Sequence, residues 1–222
     1  WKDDLIELHR TLPQLDIVNL AAMATGLVPP RDYEPNPPRR LDDNTWKDDE
    51  GRVYKYSPVT SDITVVKDPV AEGRVYGAED FDAQEIPEPD ESIFEVVDAV
   101  VDALGGSKFI IGPSNGTGVM VMLGGSHERG LRAYHAEPEV VMEAIEQQVL
   151  TAEKLDDLML GRGYDAVLDG EDYATNAGPM LSPRMFRKFC LPPLKRRVAD
   201  IHRRGLKFIK HACGNNWPLM EM

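Results

Sequence analysis

Apolar positions along the chain fall into two regimes. From residue 91 onward they alternate between helical spacing and short continuous runs. ESIFEVVDAVVDALGG (91–106) places Ile93, Val96, Val97, Val100 and Leu104 on one helical face, and Gly105 ends the pattern. KFIIG (108–112) follows as a short apolar strand. A long helix is predicted over 137–163. Pro138 suits its first turn, Glu137 and Glu139 its positive end, and Gly161 its stop. Val141, Ile145, Val149, Ala152 and Leu155 form its buried stripe. YDAVLDG (164–170) and LKFIK (206–210) are further strands, separated by a helical stretch, 182–205, that Pro192 and Pro193 must break or kink.

Residues 1–90 are less regular. VPPRDYEPNPPRR (28–40) and EIPEPDES (85–92) are dense in Pro and acidic residues and predict loops. Between them TWKDDEGRVYKYS (45–57) predicts a hairpin, with SDITVV (61–66) as its continuing strand, an insert or side layer. Strand, helix, strand, helix, strand with continuous apolar runs predicts buried parallel strands and an α/β fold. Periodicity fits a doubly wound sheet and a (β/α)8 barrel equally. In both, functional loops follow the carboxyl ends of strands. Three such ends can be read: Gly112-Pro113-Ser114-Asn115, Asp169-Gly170-Glu171-Asp172 and His211-Ala212-Cys213-Gly214.

Composition narrows the function. The 222 residues suffice for one sizeable domain, 42% apolar and 28% charged. With Lys+Arg 25 against Asp+Glu 38, the net charge of −13 disfavours nucleic acid and anionic membrane partners. One basic cluster, Lys195-Arg196-Arg197 with Arg203-Arg204, lies on a helical stretch and reads as a solvated outer face. No apolar run reaches the roughly 18–20 residues of a membrane span, and no secretory signal opens the chain. Two cysteines are too few for a disulfide framework and fit a reducing, cytoplasmic setting. Cys190, among Phe186, Phe189 and Leu194, reads as a small core residue. The chain starts with Trp1 rather than Met and stops at Met222 inside a predicted helix, so a fragment is expected.

Cys213 sits in a polar, glycine-containing loop. His211 and Cys213 are spaced i, i+2, which puts both side chains on one side of an extended strand end. Imidazole and thiolate are preferred zinc donors, and a catalytic zinc usually takes three ligands from the protein. Glu171 or Asp172 on the neighbouring strand end could supply another. On these residues alone three readings stay open: zinc ligands, a Cys–His nucleophile pair, or a hydrogen-bonded turn. Glu171-Asp172 can be a metal ligand, a general acid–base, a helix N-cap or solvated charge. Asn115, Asn215 and Asn216 can hydrogen-bond a polar substrate, and Asn also favours turns. GPSNGTG (112–118) is glycine-rich but lacks the Lys of a phosphate-binding loop.

Taken together, these segments resemble a known superfamily. YDAVLDGEDYATNAGPMLSPRMFRKFCLPPLKRRVADIHRRGLKFIKHACGN resembles the uroporphyrinogen decarboxylase superfamily, which includes zinc-dependent methylcobalamin:coenzyme M methyltransferases and related corrinoid methyltransferases. The matching features are the strand-end acid pair, the Gly-Pro-x-x-Ser-Pro before a helix, the Pro-Pro helix break, the Ile-His-x-x-Gly helix end and the His-x-Cys-Gly-Asn loop. GPSNGTGVMVMLGG with the helix after it is similar to the superfamily's third-strand region. The resemblance covers residues 93–222 well and 1–92 loosely. It implies a (β/α)8 TIM barrel of the uroporphyrinogen decarboxylase type, truncated after about five strands. Residues 1–90 would be its N-terminal part with a β-hairpin insert, and 91–222 the following β/α repeats. The open edges and core of such a fragment imply poor solubility when made alone.

The resemblance implies a zinc-dependent corrinoid-linked methyltransferase, moving a methyl group between a corrinoid cobalt and a thiol or methoxyl-type substrate. His211 and Cys213 would be metal ligands, with a later Cys beyond residue 222. Glu171 and Asp172 would supply a ligand or proton transfer, and Asn115 and Asn215 would orient a small-molecule substrate. The corrinoid (methylcobalamin) would be bound transiently or carried by a partner corrinoid protein. A uroporphyrinogen decarboxylase-type carboxy-lyase is the alternative, with Asp62 as its catalytic acid. Against it, the Arg-Gln-Ala-Gly-Arg stretch is absent and Met120 stands where those enzymes carry a Tyr. A polycarboxylate substrate also suits a chain of −13 poorly. A non-catalytic corrinoid or tetrapyrrole binding module is the third reading.

Overall fold

The computed structural model describes residues 1–22, 26–59, 61–72, 74–81, 90–123 and 127–222. Residues 85–89 of the EIPEPDES stretch, and Gly124 and Gly125 after GPSNGTG, lie outside the described residues. The chain divides into two compact units. The first is Trp1–Asp32, Ala83–Met120 and Ile145–Met222; the second is Tyr33–Asp82 and Val121–Ala144.

The first unit is an α/β layer built on a parallel sheet. Its strands are β1 (Ile17–Asn19), β6 (Phe109–Gly112), β7 (Ala166–Asp169) and β10 (Lys207–Lys210), in that spatial order. Every neighbouring pair is parallel: Val18 faces Ile110, Gly112 faces Val167, and Lys210 faces Asp169. Helices α2 (Glu95–Leu104), α4 (Pro138–Met159), α5 (Pro183–Phe189) and α6 (Leu191–Arg203) connect the strands, and α1 (Lys2–Thr11) precedes them. The last three strands and their helices match the predicted pattern. α1 and β1 were not predicted, because three strand residues, Ile17, Val18 and Asn19, with only Val18 buried, carry too little periodicity.

The core lies between the sheet and α2. Val18, Ile110 and Val167 from the strands meet Val97, Val100 and Leu104 from the helix, with Leu160, Tyr164 and Ile201 closing the side. Val97, Val100, Ile110 and Val167 are fully buried. Burial of each such side chain stabilises by about 1.5–3 kcal/mol relative to exposure. The break between α5 and α6 falls at Cys190, so Pro192 and Pro193 occupy the first turn of α6, where no amide donor is needed. Ser182 caps α5 by accepting the Met185 amide. Cys190 is buried, as its apolar neighbours implied.

The basic stretch on α6 is not a uniformly solvated face. Arg196 pairs with Glu146 (2.7 Å) and Glu153 (2.5 Å) of α4. Arg197 is completely buried and meets the equally buried Asp156 at 2.5 Å. Its guanidinium also donates to the Gly116 carbonyl at 3.1 Å. Charge run alone could not reveal this, because the face of α6 that meets α4 is set by packing. Asp156 follows Leu155 in sequence, and it is Asp156 rather than Leu155 that is fully buried.

The second unit carries an antiparallel meander of β2 (Arg39–Asp42), β3 (Thr45–Lys47), β4 (Val53–Ser57) and β5 (Asp62–Lys67), in that order. This confirms the hairpin and its continuing strand, and extends the sheet into the end of the Pro-rich 28–40 stretch, which was predicted to be loop. Trp46, Tyr54 and Val65 share one face, with Tyr56 and Ile63 paired beside them. Helix α3 (His127–Ala136) also belongs to this unit.

Arg197→Met removes the countercharge of a buried carboxylate. It should lower unfolding stability by about 3–5 kcal/mol in urea titration, whereas Met142→Ala on the exposed face of α4 should change it by less than about 0.5 kcal/mol. Equal effects of the two would refute the burial of the Arg197–Asp156 pair.

Candidate metal centre

The site forms where β7 and β10 end side by side. The His211 amide donates to the Asp169 carbonyl at 2.8 Å, carrying the parallel ladder one residue past Lys210. Two residues past His211 and three past Asp169, Cys213 and Asp172 meet: the Cys213 amide donates to Asp172 Oδ1 at 2.6 Å. Cys213 Sγ lies 3.3 Å from His211 Nε2. The ligand atoms of Asp172, His211 and Cys213 all fall within 4.8 Å of one another, and all three residues are exposed. Zinc with bonds of about 2.0–2.3 Å at tetrahedral angles needs its donors about 3.6 Å apart. The N, S and O donors are of the kind zinc takes, and they lie close enough together on an exposed surface to be candidates for holding one.

The loop that carries them is shaped by two residues. Gly214 has φ +82°, and a Cβ there would come within 2.4 Å of the Ala174 carbonyl oxygen. Only glycine lets the loop lie against β8 (Ala174–Thr175), where the Asn215 amide donates to the Thr175 carbonyl at 2.8 Å. Asn216 staples the turn: its side-chain amide donates to the carbonyls of Ala212 (3.1 Å), Cys213 (2.8 Å) and Gly214 (3.2 Å). Asn215 lines an open cavity of about 600 Å³ with Asn176, Ala212, Gly214, Trp217 and Met220. Among the described residues, those lining the cavity carry no charge. Ala212 and Gly214 flank Cys213 in sequence, so the cavity borders the donor cluster.

Glu171 turns the other way. Its carboxylate accepts the Thr117 hydroxyl (2.7 Å), the Tyr173 hydroxyl (3.1 Å) and the amides of Val119 (3.3 Å) and Met120 (2.7 Å). Asp169, which unlike half-buried Glu171 is buried, accepts the Thr117 amide (3.2 Å) and hydroxyl (3.1 Å). Gly116, at φ +66°, brings the loop down onto Asp169; a Cβ there would stand 2.8 Å from its carboxylate. The amides of Thr117, Val119 and Met120, in and just after this glycine-rich loop, thus go to protein carboxylates rather than to a phosphate. Lys210 balances the charge, donating to Asp169 at 2.5 Å and to the Glu171 carbonyl at 2.6 Å, with its ammonium 4.3 Å from the Tyr173 ring centre.

Of the six residues singled out in sequence, Asp172, His211 and Cys213 converge, and Asn215 stands on the adjoining cavity. Glu171 is in the network behind them. Asn115 is turned towards α4, donating to Met159 Sδ at 3.1 Å and to Asp156 at 3.5 Å. Asp62 lies on the exposed strand β5, where its carboxylate accepts the Ile63 amide at 2.7 Å. Thr117, Tyr173 and Lys210 were missed. Lys210 alone left a signal, a cation closing an apolar strand.

Two perturbed titrations bear on the donor cluster and the network behind it. The Asp172 carboxylate, helped by desolvation, pushes the Cys213 thiol above its ordinary value. Burial, then the Glu171 carboxylate, pushes the Tyr173 hydroxyl well above its ordinary value, so it stays a donor.

A family model described as uroporphyrinogen decarboxylase (URO-D) matches residues 59–222. The chain belongs to the uroporphyrinogen decarboxylase family. Among solved structures, a methyltransferase from Methanosarcina mazei is similar in fold, with a TM-score of 0.58 at 14% identity. The match covers 98% of this chain and 58% of that one, so the chain spans little more than half of that structure. No curated protein matches the chain. Among the described residues, no helix of this URO-D family chain is long and apolar enough to cross a membrane.

Without metal, Cys213 should be alkylated slowly near neutral pH, because the adjacent carboxylate disfavours the thiolate. Asp172→Asn removes that charge, lowers the thiol pKa and should speed iodoacetamide labelling at pH 7–8 by several-fold. Buried Cys190 serves as the internal slow control. A rate unchanged by Asp172→Asn would contradict the contact.

Proposed function

We propose that this chain is the metal-binding part of a zinc-dependent, corrinoid-linked methyltransferase built on a (β/α)8 barrel. The observation that carries the reading is the convergence of one imidazole, one thiol and one carboxylate on an open strand-end surface. Family membership and a methyltransferase fold neighbour support it. The unreversed parallel order β1-β6-β7-β10 supports the barrel reading, and the pairing of β1 with β6 is consistent with residues 1–90 and 91–222 contributing to the same barrel.

His211, Cys213 and Asp172 would hold the zinc. Bound zinc would lower the pKa of a substrate thiol towards neutrality, or polarise a methoxyl-type oxygen as a Lewis acid, while a corrinoid supplies or accepts the methyl group. The protein's own part is positional. Asp172 fixes the Cys213 backbone through its 2.6 Å contact, and Asn216 fixes the three carbonyls around it. Glu171 does not face the metal in this reading; it holds the 117–120 loop and so the base of the Asp172 turn. Asn215 and Asn176 offer uncharged hydrogen-bonding groups to a small substrate, beside the apolar surface of Trp217 and Met220. A substrate with many carboxylates would find no countercharge in that cavity, which weighs against the carboxy-lyase alternative.

Elemental analysis of the purified protein tests the reading. About one zinc per chain is expected in the wild type, and loss of most of it in Cys213→Ser and in His211→Ala. Zinc absent from the wild type, or retained in both variants, would overturn it. In that case porphyrinogen decarboxylation, with and without Asp62→Asn, becomes the assay of choice.

A further inference from the structure

The second unit contains a cleft that the proposed chemistry does not use. It has a volume of about 270 Å³, and three arginines line it: Arg74, Arg129 and Arg132. On one side α3 presents Arg129, Arg132, Ala133 and Ala136, which are spaced i, i+3, i+4 and i+7 and so share one helical face. Buried Ala133, with Ala136 a turn further on, leaves room beside the helix, in a cleft that the arginines also line. On the other side lie Arg74 and Tyr76. The Arg74 guanidinium stacks on the Tyr76 ring at 4.7 Å, and Tyr76 stacks on Phe81 at 5.8 Å, which makes that wall stiff.

In a chain with 38 acidic residues against 25 basic ones, three guanidinium groups around one small concavity are unusual. One acidic residue, Glu137, shares the lining. Two of these arginines make ion pairs open to solvent. Arg132 meets Glu128 at 2.8 Å with both side chains about three-quarters exposed, and Arg74 meets Asp80 at 3.3 Å. Pairs this exposed contribute little in water and exchange readily. A small oxyanion can replace them with bidentate contacts, because the planar guanidinium fork matches carboxylate and phosphate oxygens.

We propose that the Arg74–Arg129–Arg132 cleft binds a small oxyanion, a phosphate- or carboxylate-bearing molecule, at a site made of other residues than the Asp172–His211–Cys213 cluster. The volume suits a compact anion with its oxygens held between α3 and Arg74, and its remaining part against Tyr76. The site depends on neither zinc nor methyl transfer.

Titration calorimetry on the whole chain, with inorganic phosphate and separately with succinate, tests this. Saturable binding of at least one probe is expected, weakening as salt is raised. Arg132→Ala and Arg129→Ala should each weaken it about tenfold. Arg132→Lys, which keeps the charge but loses the fork, should fall between. Arg187→Ala, an exposed arginine on α5, should leave it unchanged. Preference for phosphate or for succinate tells which oxyanion the cleft is built for. The proposal is overturned if neither probe saturates, or if Arg187→Ala weakens binding as much as the cleft variants do. Circular dichroism melts confirm that each variant is folded, so a loss of binding reports the cleft.

Discussion

Two carboxylates at the end of β7 organise everything around them. Asp169 and Glu171 sit one residue apart, inside the strand-end region, and neither is left to water. Between them they take the hydroxyl of Thr117, the hydroxyl of Tyr173 and three backbone amides of the 117–120 loop. Lys210, from the neighbouring strand end, supplies the opposite charge. A buried carboxylate such as Asp169 is tolerable only with this degree of satisfaction, since an unpaired one would be strongly penalised. The network therefore ties the loop after β6 to β7 and β10, and those two strand ends carry the donor cluster.

A second buried pair repeats the principle on the helical side. Arg197 and Asp156 are both shielded from solvent, and the guanidinium also holds the Gly116 carbonyl. One end of the 116–120 loop is thus fixed by a cation from α6 and the other by the Glu171 carboxylate just past β7. Between those anchors Thr117 is fully buried. This arrangement keeps the exposed donors of Asp172, His211 and Cys213 on a stiff base. Such support matters for a metal centre, because ligand geometry is held by what lies behind the ligands. Exposure of the three donors and rigidity of their support are compatible because the network is buried one layer deeper.

The second unit follows different rules. Its antiparallel meander leaves Ile63, Val65 and Val66 about half exposed on an edge strand. An edge of that kind is normally guarded by charge or by turns. Here Asp62 and Lys67 bracket the apolar residues, and Pro58 and Pro69 flank the strand. Arg52 anchors the sheet's end through Asp68 at 3.2 Å, and the Tyr54 hydroxyl through Asp48 at 2.9 Å.

Periodicity and strand-end position were enough to locate β6, β7 and β10, the helices between them and the His-x-Cys pair, because those features depend on local spacing. The i, i+2 relation of His211 and Cys213 is a property of an extended strand end whatever the rest of the chain does. Gly214 could be read as a turn residue for the same reason. Tertiary structure alone decided which acid joined them. Glu171 and Asp172 are adjacent and chemically alike, and only the position of Thr117, Val119 and Met120, more than fifty residues earlier, sends one carboxylate inward and leaves the other beside Cys213. It also decided that Arg197 is buried while Arg187 is not, since charge runs carry no record of which helix faces will meet. Sequence determined the elements and the candidate donors; contacts between residues far apart in the chain determined which way each side chain turned.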